Sequence, residues 1–487
     1  MNVRKGEGIY NVIVIGAGTA GLVAAAGTAG LGGRVALIER HKMGGDCLNF
    51  GCVPSKALIS SARLLHAIRN AADWGIEPLR VGADFKRIFG RMRECRATIA
   101  PHDSQARFES LGVDVFRGES RFVSPRAVEV DGITLRGAHL VIATGTRPAV
   151  PPIEGLDRVR FFTNETIFDE LEKLPERLLV LGGGPIGCEL AQAFARLGSR
   201  VTLLQRGPHL LTKEDKDISA FARELLEAES IRVCTNAELR RAEPRSNGLA
   251  AAIRHGETTS EEEFDALLIA AGRAPNVESL NLSAAGVKTS KRGVEVNNCL
   301  QTSQPHIYAA GDVTGHHLFT HMADYQARIV VRNILMPLQF LRQKVNKSVV
   351  PWCTFLDPEI ARVGLGEDDA KKRGIAYDLF EQSMSGVDRA IVENATKGRA
   401  KVVVRRGSDQ ILGATIVAEH AGDLLQPFVL AMRCGIGLGK IGSTIHPYPT
   451  FVEVGRKAAD QFLKSRLTPL AKRLFTTLYA RQRGDAA

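Results

Sequence analysis

The chain predicts an α/β fold: two doubly wound, Rossmann-like nucleotide-binding domains followed by a mixed α+β domain at the C-terminus. Three observations carry that prediction. A β-branched run, a Gly-rich turn, an Ala-rich helical segment and a second apolar run follow one another over residues 10–38, the order of a βαβ unit. The same order returns 166 residues later, over 177–204, as a duplication of architecture and not a solenoid repeat. From about Ser348 the pattern changes to shorter alternating strands, 400–404 and 411–417 among them, interspersed with helices.

The first unit turns at Gly16-Ala17-Gly18-Thr19-Ala20-Gly21. This fits G-x-G-x-x-G: Gly16 allows the tight turn, Gly18 lets a pyrophosphate approach the backbone, and Gly21 permits close packing of helix on sheet. The helix N-terminus then faces the phosphates with its positive dipole end. Glu39 ends the second strand 23 residues after Gly16, placed to accept hydrogen bonds from an adenosine ribose diol. An ordinary Gly-rich turn is the competing reading of the triplet alone; strand, helix and terminal acid together weigh against it.

The second unit carries Gly182-Gly183-Gly184-Pro185-Ile186-Gly187 between the strand at 177–181 and a helix at 188–197, so Gly182, Gly184 and Gly187 take the same three parts. The same count of 23 reaches Gln205, and Arg206 follows. A carboxylate there repels a 2′-phosphate, whereas an amide beside a guanidinium binds one, which favours NADPH over NADH. Arg206 as a solvated surface charge is the alternative. Residues 140–145 read as a strand ending in Ala143-Thr144-Gly145, and 267–272 repeat that shape, ending at Gly272, before Arg273-Ala274-Pro275-Asn276. Each marks a crossing between domains, and Thr144, Gly145 and Gly272 join the candidate cofactor-binding residues. Pro148, Pro151 and Pro152 have the composition of a linker.

Composition narrows the partners. With 487 residues, 44% hydrophobic and 24% charged, the chain is no fibre, disordered tail or disulfide-stapled miniprotein, and two to four domains are expected. The net charge of +11 raises nucleic acid and anionic lipid as partners. The last 27 residues hold +5 of it, through Lys464, Arg466, Lys472, Arg473, Arg481 and Arg483 against Asp485. A basic pI is therefore no argument for nucleic acid. In the same tail Phe462, Leu463, Leu467, Leu470, Leu474, Phe475, Leu478 and Tyr479 interleave with the cations, the pattern of a lipid-facing amphipathic helix interrupted at Pro469; a helix packed on a dimer is the other reading. Eight scattered Cys give no secreted disulfide framework. The uncharged stretch 8–33 has too many Gly for a signal core, no apolar run of about 20 residues appears elsewhere, and a cytoplasmic location is expected.

The most informative stretch is Gly44-Gly45-Asp46-Cys47-Leu48-Asn49-Phe50-Gly51-Cys52-Val53-Pro54-Ser55-Lys56. On a regular helix residues five apart differ by about 140° in azimuth, so the two sulfurs bond only across a distorted first turn. Gly51 supplies backbone freedom and Pro54 suits an early helical position. A thiol at a helix start has a depressed pKa because the dipole stabilises its thiolate. Beside the redox pair stand a zinc site, for which only His41 lies near, and two structural thiols. Next to the upstream cradle, a dithiol/disulfide relay beside a redox cofactor is favoured.

The C-x-x-x-x-C-V-P-S-K segment with both cradles resembles the flavoprotein disulfide reductase family, the group of dihydrolipoamide dehydrogenase, glutathione reductase and mercuric reductase, over nearly the whole chain. The resemblance implies FAD on residues 1–150 and 274–347, NAD(P)H on 151–273, and a dimerisation domain over 348–487 with a basic tail helix over 461–487. It makes Cys52 the charge-transfer thiolate against the flavin, Cys47 the thiol that exchanges with substrate, and Lys56 a neighbour of flavin N5 paired with Glu189. Gly45 joins the FAD-binding set, and Ile307-Tyr308-Ala309-Ala310-Gly311-Asp312 resembles the second FAD motif, with Asp312 on the ribityl chain. Electrons then run from NADPH through FAD and the cysteine pair to an acceptor.

One departure bears on the acceptor. Members that reduce organic disulfides carry a His directly before Pro-Thr as proton shuttle, with an acid farther on. Here the stretch is His446-Pro447-Tyr448-Pro449-Thr450-Phe451-Val452-Glu453. Tyr448 takes the base position, and a phenol is a poor base at neutral pH; His446 stands two positions early, as a substitute shuttle or a structural residue. A Tyr there is similar to mercuric reductases, yet the last Cys is Cys434, so a C-terminal delivery pair is missing, and no C-x-x-C module precedes Gly16. Three functions follow: a mercuric-reductase-like flavoprotein passing electrons to a metal ion or small electrophile, a dihydrolipoamide dehydrogenase-like dithiol oxidoreductase, and a membrane-surface redox or interaction protein acting through its tail. No resident metal is expected. The dimer is implied because Tyr448 and Glu453 would complete the partner subunit's site.

Overall fold

Val12, Ile13, Val14 and Ile15 are all buried, as happens in a strand whose sheet is covered on both faces. The computed structural model describes residues 5–77 and 81–484. They fall into two units, Met1–Thr212 with Ala220–Val345, and Lys213–Ser219 with Asn346–Ala487.

In the first unit the strand Ile9–Ile15 runs parallel to Val35–Glu39 on one side and Ile133–Ile142 on the other. Val113–Arg117 extends the parallel run, Ala127–Val130 and Ser120–Ser124 continue it in antiparallel fashion, and Ile307–Ala309 pairs with the end of Ile133–Ile142. Alternation sends Val12, Val14 and Leu37 into one core and Ile13, Ile15 and Ile38 into another, because successive strand side chains take opposite faces. Five helices of this unit concern the site: α1 (Thr19–Gly30), α2 (Gly45–Asn49), α3 (Cys52–Arg69), α4 (Pro185–Leu197) and α5 (Thr320–Leu335). Small residues bring α1 and α5 close: Ala20, Ala24 and Ala25 share a core with Ala323 and Ala327, and a Cβ on Gly27 would lie 3.2 Å from Val331.

A second sheet repeats the plan, with Arg232–Thr235, Arg200–Gln205, Arg177–Leu181 and Ala266–Ile269 all parallel. The two stretches read as strands through 145 and 272 stop earlier, at Ile142 and Ile269. Gly145 at φ +65° and Gly272 at φ +142° turn the chain there, a conformation L side chains rarely adopt. The residues beyond them, Thr146–Pro148 and Arg273–Pro275, form a two-stranded antiparallel sheet, so Pro148 belongs to a strand and not to a linker. Asn276 seals the pair, accepting from the Thr144 hydroxyl through its carbonyl at 2.7 Å and donating from Nδ2 to the Thr144 carbonyl at 2.9 Å.

The second unit is built on an antiparallel sheet ordered Pro351–Thr354, Glu359–Gly364, Ile411–Ala418, Arg399–Arg405, Tyr377–Ser383. Helix α6 (Glu453–Ser465) closes its core with Val454, Ala458, Ala459 and Phe462. The basic tail divides at the break before Pro469: Phe462 is buried in α6, while α7 (Pro469–Gln482) is a separate helix capped by the Thr468 side chain. No described helix is long and apolar enough to cross a membrane.

Two cations sit inside this unit. Lys401 donates to Asp217 at 2.9 Å, Glu367 at 3.3 Å and Asp215 at 3.4 Å. Arg362 donates to the Lys213 carbonyl at 2.8 Å and pairs with Asp369. Asp215 also accepts the backbone N–H groups of Glu367 and Asp368 at 3.0 and 3.1 Å. With Lys401 and Asp215 exposed by only 2% and 3%, Lys401→Ala takes a cation from a buried carboxylate, which keeps two backbone N–H bonds and Arg362 at 3.9 Å. It is expected to destabilise the protein by about 3–5 kcal/mol, read by urea unfolding, and a loss below about 1 kcal/mol would show the cluster to be solvated.

Candidate active site

The cysteine stretch folds as two helices and not as one distorted helix. Gly44 and Gly45 take φ +86° and +59°, and the Gly44 N–H donates to the Ala17 carbonyl at 2.9 Å. A Cβ on Gly45 would meet Gly18 Cα at 2.5 Å, so only glycine lets the segment lie against the first cradle. Cys47 lies inside α2, the helix is interrupted at Phe50 and Gly51, and Cys52 opens α3. The break sets the two thiols where each acts on the other's titration.

The pair is electrically unequal. The hydrogen bond from Cys47, the Thr320 hydroxyl at 3.3 Å and the Lys56 charge hold the Cys52 thiol down to about 6, against desolvation and the Asp46 charge. The same bond and burial push Cys47 up. The two shifts run in opposite directions and favour the thiolate on Cys52 and the thiol on Cys47. Lys56 Nζ lies 2.7 Å from Glu189 Oε2, and the Glu189 side chain is only 5% exposed. Asp46 is held by Arg273 at 3.1 Å and by Asn164 Nδ2 at 3.0 Å.

The two cradles share one construction. A Cβ on Gly21 would lie 1.8 Å from the Gly16 carbonyl oxygen, and one on Gly187 1.8 Å from that of Gly182. Nothing stands within 4 Å of a Cβ on Gly184, and no side chain caps α1 or α4 at Gly18 or Gly184, so both helix ends present backbone N–H groups. The Ala17 N–H donates to Glu39 Oε2 at 2.7 Å, and the Gly183 N–H donates to Gln205 Oε1 at 2.9 Å. Gln205 therefore fills the place of Glu39 without its charge, and Arg206 beside it is exposed. Burial pushes the Asp312 carboxyl up to about 6, with Arg273 opposing and the Thr146 hydroxyl at 3.4 Å. Closed glycine turns, uncapped helix ends and a buried carboxyl fit FAD on the first cradle and NAD(P)H on the second.

In the second unit, Tyr448 is 70% exposed and its hydroxyl donates to Asp388 at 2.9 Å. That bond raises the phenol's pKa, moving it further from a base, while Tyr448 and then Lys457, at 3.3 Å, hold Asp388 below the ordinary carboxylate value. Glu453, buried, pairs through Oε1 with Arg456 at 2.9 Å, and its Oε2 has no hydrogen-bond partner among the described residues. His446 Nδ1 bonds the Thr444 carbonyl at 2.8 Å; among the described residues no hydrogen bond joins it to Tyr448 or Glu453. The sequence did not point to Thr320, Asp46, Arg273, Asp388 or Lys457. Asp46, inside the cysteine stretch, and Arg273, in the Arg-Ala-Pro-Asn run, carried a local signal.

Residues 10–327 match the family described as pyridine nucleotide-disulphide oxidoreductase, and residues 350–459 match its dimerisation domain. The chain belongs to this family of flavoprotein enzymes, which are FAD-dependent and use NAD(P)H, and its dimerisation domain supports a homodimer. It is 35% identical over 459 residues to a mercuric reductase of Lysinibacillus sphaericus, covering 94% of this chain and 83% of that one. It is 34% identical over 467 residues to a dihydrolipoyl dehydrogenase of Thermus scotoductus, covering 94% and 98%. Among solved structures it resembles the Cu(II) complex of the HOCl-induced flavoprotein disulfide reductase RclA from Escherichia coli, with a TM-score of 0.84 and 28% identity over 93% of this chain and all of that one.

Alkylation of the reduced protein by iodoacetamide is expected to rise with pH through a midpoint near 6, since the thiolate reacts and the thiol does not. Lys56→Met is expected to move that midpoint upward; a midpoint near 9 in the parent protein would contradict the polarised pair. Gly21→Ala is expected to yield protein without bound flavin, read as loss of the visible flavin absorbance on purification.

Proposed function

We propose that the chain is an NADPH-dependent flavoprotein reductase whose Cys47 and Cys52 pass electrons to a thiophilic metal ion. The observation that carries this reading is the placement of Cys52 at the start of α3, against the Thr320 hydroxyl, with a phenol bonded to Asp388 and no imidazole at position 448. A soft cation binds to thiolates and displaces the Cys47 proton. Reducing such an ion leaves no organic thiolate to be protonated, so a general base is dispensable. The names of the mercuric reductase relatives and of the Cu(II)-bound structural relative support the same acceptor class.

Bound FAD supplies the two-electron relay between NADPH and the cysteine pair. Gly16, Gly18, Gly21 and Gly45 would border its pyrophosphate, Glu39 its ribose and Asp312 its ribityl chain, with Thr144 and Gly145 in the turn beside them. Gly182, Gly184 and Gly187 would hold the NADPH pyrophosphate, Gln205 and Arg206 its 2′-phosphate, and Gly272 the domain crossing. Lys56, fixed by Glu189, keeps positive charge beside the thiolate. In the homodimer, Tyr448, oriented by Asp388, and Glu453 serve the partner subunit's site.

A dihydrolipoamide dehydrogenase-like reading rests on Glu453, whose unpartnered buried oxygen is an acceptor suited to a shuttle's N–H or O–H. His446 or Tyr448 would then be the base.

Oxidation of NADPH with Hg(II) plus excess thiol, Cu(II), lipoamide, glutathione disulfide and a quinone separates these readings. The metal ions are expected to be the best acceptors, and Cys47→Ser and Cys52→Ser to lower turnover on them by about 100-fold or more. Full turnover in both variants would mean that the cysteine pair carries no electrons, and lipoamide as best acceptor would select the second reading. Gln205→Glu with Arg206→Ala is expected to shift the ratio of kcat/KM for NADPH and NADH toward NADH by about tenfold or more; an unchanged ratio would make Arg206 a surface charge only.

A further inference from the structure

Helix α7 takes no part in the core of its unit: no side chain of Pro469–Gln482 is buried. It is nevertheless properly started, with Pro469 at its first turn and the Thr468 hydroxyl accepting from the Ala471 N–H at 3.2 Å. At about 100° per residue, Leu470, Leu474, Leu478, Phe475 and Tyr479 gather on one half of the helix, joined in its last turn by Arg481, and Lys472, Arg473, Thr476 and Thr477 lie on the other. The apolar half is open, with Leu470 exposed by 78%, Leu474 by 59% and Tyr479 by 62%. Lys464, Arg466, Lys472, Arg473, Arg481 and Arg483 accompany it, and no acidic residue occurs from 461 to 484. The helix also begins beyond the residues that match the dimerisation domain.

We infer that α7 docks this reductase on the surface of an anionic lipid bilayer, with its leucines, Phe475 and Tyr479 among the acyl chains and its cations at the headgroups. Charge chooses the occupant. A two-fold pairing of α7 with itself would bring two all-cationic segments together without an acid to offset them. An anionic bilayer complements both halves at once, because it accepts the apolar side and attracts each Lys or Arg near its plane. Since no described helix can span a membrane, the contact is peripheral and reversible, and it does not depend on the identity of the electron acceptor.

The test is co-sedimentation of the full-length flavin-loaded protein with vesicles of phosphatidylcholine alone or mixed equally with phosphatidylglycerol. Three proteins are compared: the parent, a chain ending at Leu467, and Leu474→Asp with Leu478→Asp. The parent is expected to pellet with the mixed vesicles and to be released by high salt. Both variants are expected to lose affinity by about tenfold or more, with NADPH turnover and dimer mass unchanged as the control on folding. Failure of the parent to pellet, equal pelleting of the shortened chain, or equal binding to pure phosphatidylcholine would overturn the inference. Dissociation of the dimer on shortening would overturn it too, by assigning α7 to a second copy.

Discussion

A carboxylate exposed by only 5% needs a partner, and Glu189 has one in Lys56 at 2.7 Å. This ion pair is the constraint on which the site rests. Glu189 stands in the first turns of α4, immediately after the second Gly-rich loop, and Lys56 in the first turns of α3, immediately after the cysteines. The pair therefore ties the second nucleotide cradle to the thiols. It also fixes positive charge beside Cys52, one of the causes that hold the thiol down to about 6. Without Glu189, Lys56 would lose its anchor; without Lys56, Glu189 would be a buried charge with its main compensation gone.

The first cradle is joined to the cysteine segment by close backbone fit and by the bond from the Gly44 N–H to the Ala17 carbonyl. Gly45 abuts Gly18 so closely that no side chain fits on Gly45, which sets α2 against the N-terminus of α1. The chemistry that separates the two cradles is correspondingly small. Glu39 and Gln205 each accept the N–H of the residue after their first glycine, and an arginine follows each, Arg40 and Arg206, so what changes between them is one unit of charge. Specificity for the second nucleotide is in that account an electrostatic property laid over a shared backbone.

Much of this was legible in the sequence because it is local. Each cradle lies within one βαβ unit of the acid or amide that ends its second strand, and the helix start at Cys52 follows shortly after the first unit, so spacing dictates geometry. What escaped is non-local. Thr320 reaches Cys52 from 268 residues away, Tyr448 finds Asp388 at a separation of 60, and Lys401 meets Asp215 at 186. No periodicity reports such pairings. The strands end at Ile142 and Ile269, short of Gly145 and Gly272, for a related reason: the sequence pattern runs on, but those glycines and the bonds of Asn276 redirect the chain. Tyr448 was readable as a poor base from its type alone, whereas the bond that makes it poorer required the fold.

The central claim is that Cys52 is a thiolate poised to exchange electrons with bound flavin. Anaerobic addition of one equivalent of NADPH, followed by absorbance at long wavelength across pH 5 to 8, tests it most directly. The account predicts a thiolate-to-flavin band that fades as pH falls through about 6 and is missing in Cys52→Ser. A band of unchanged intensity in Cys52→Ser, or none at any pH in the parent protein, would contradict it.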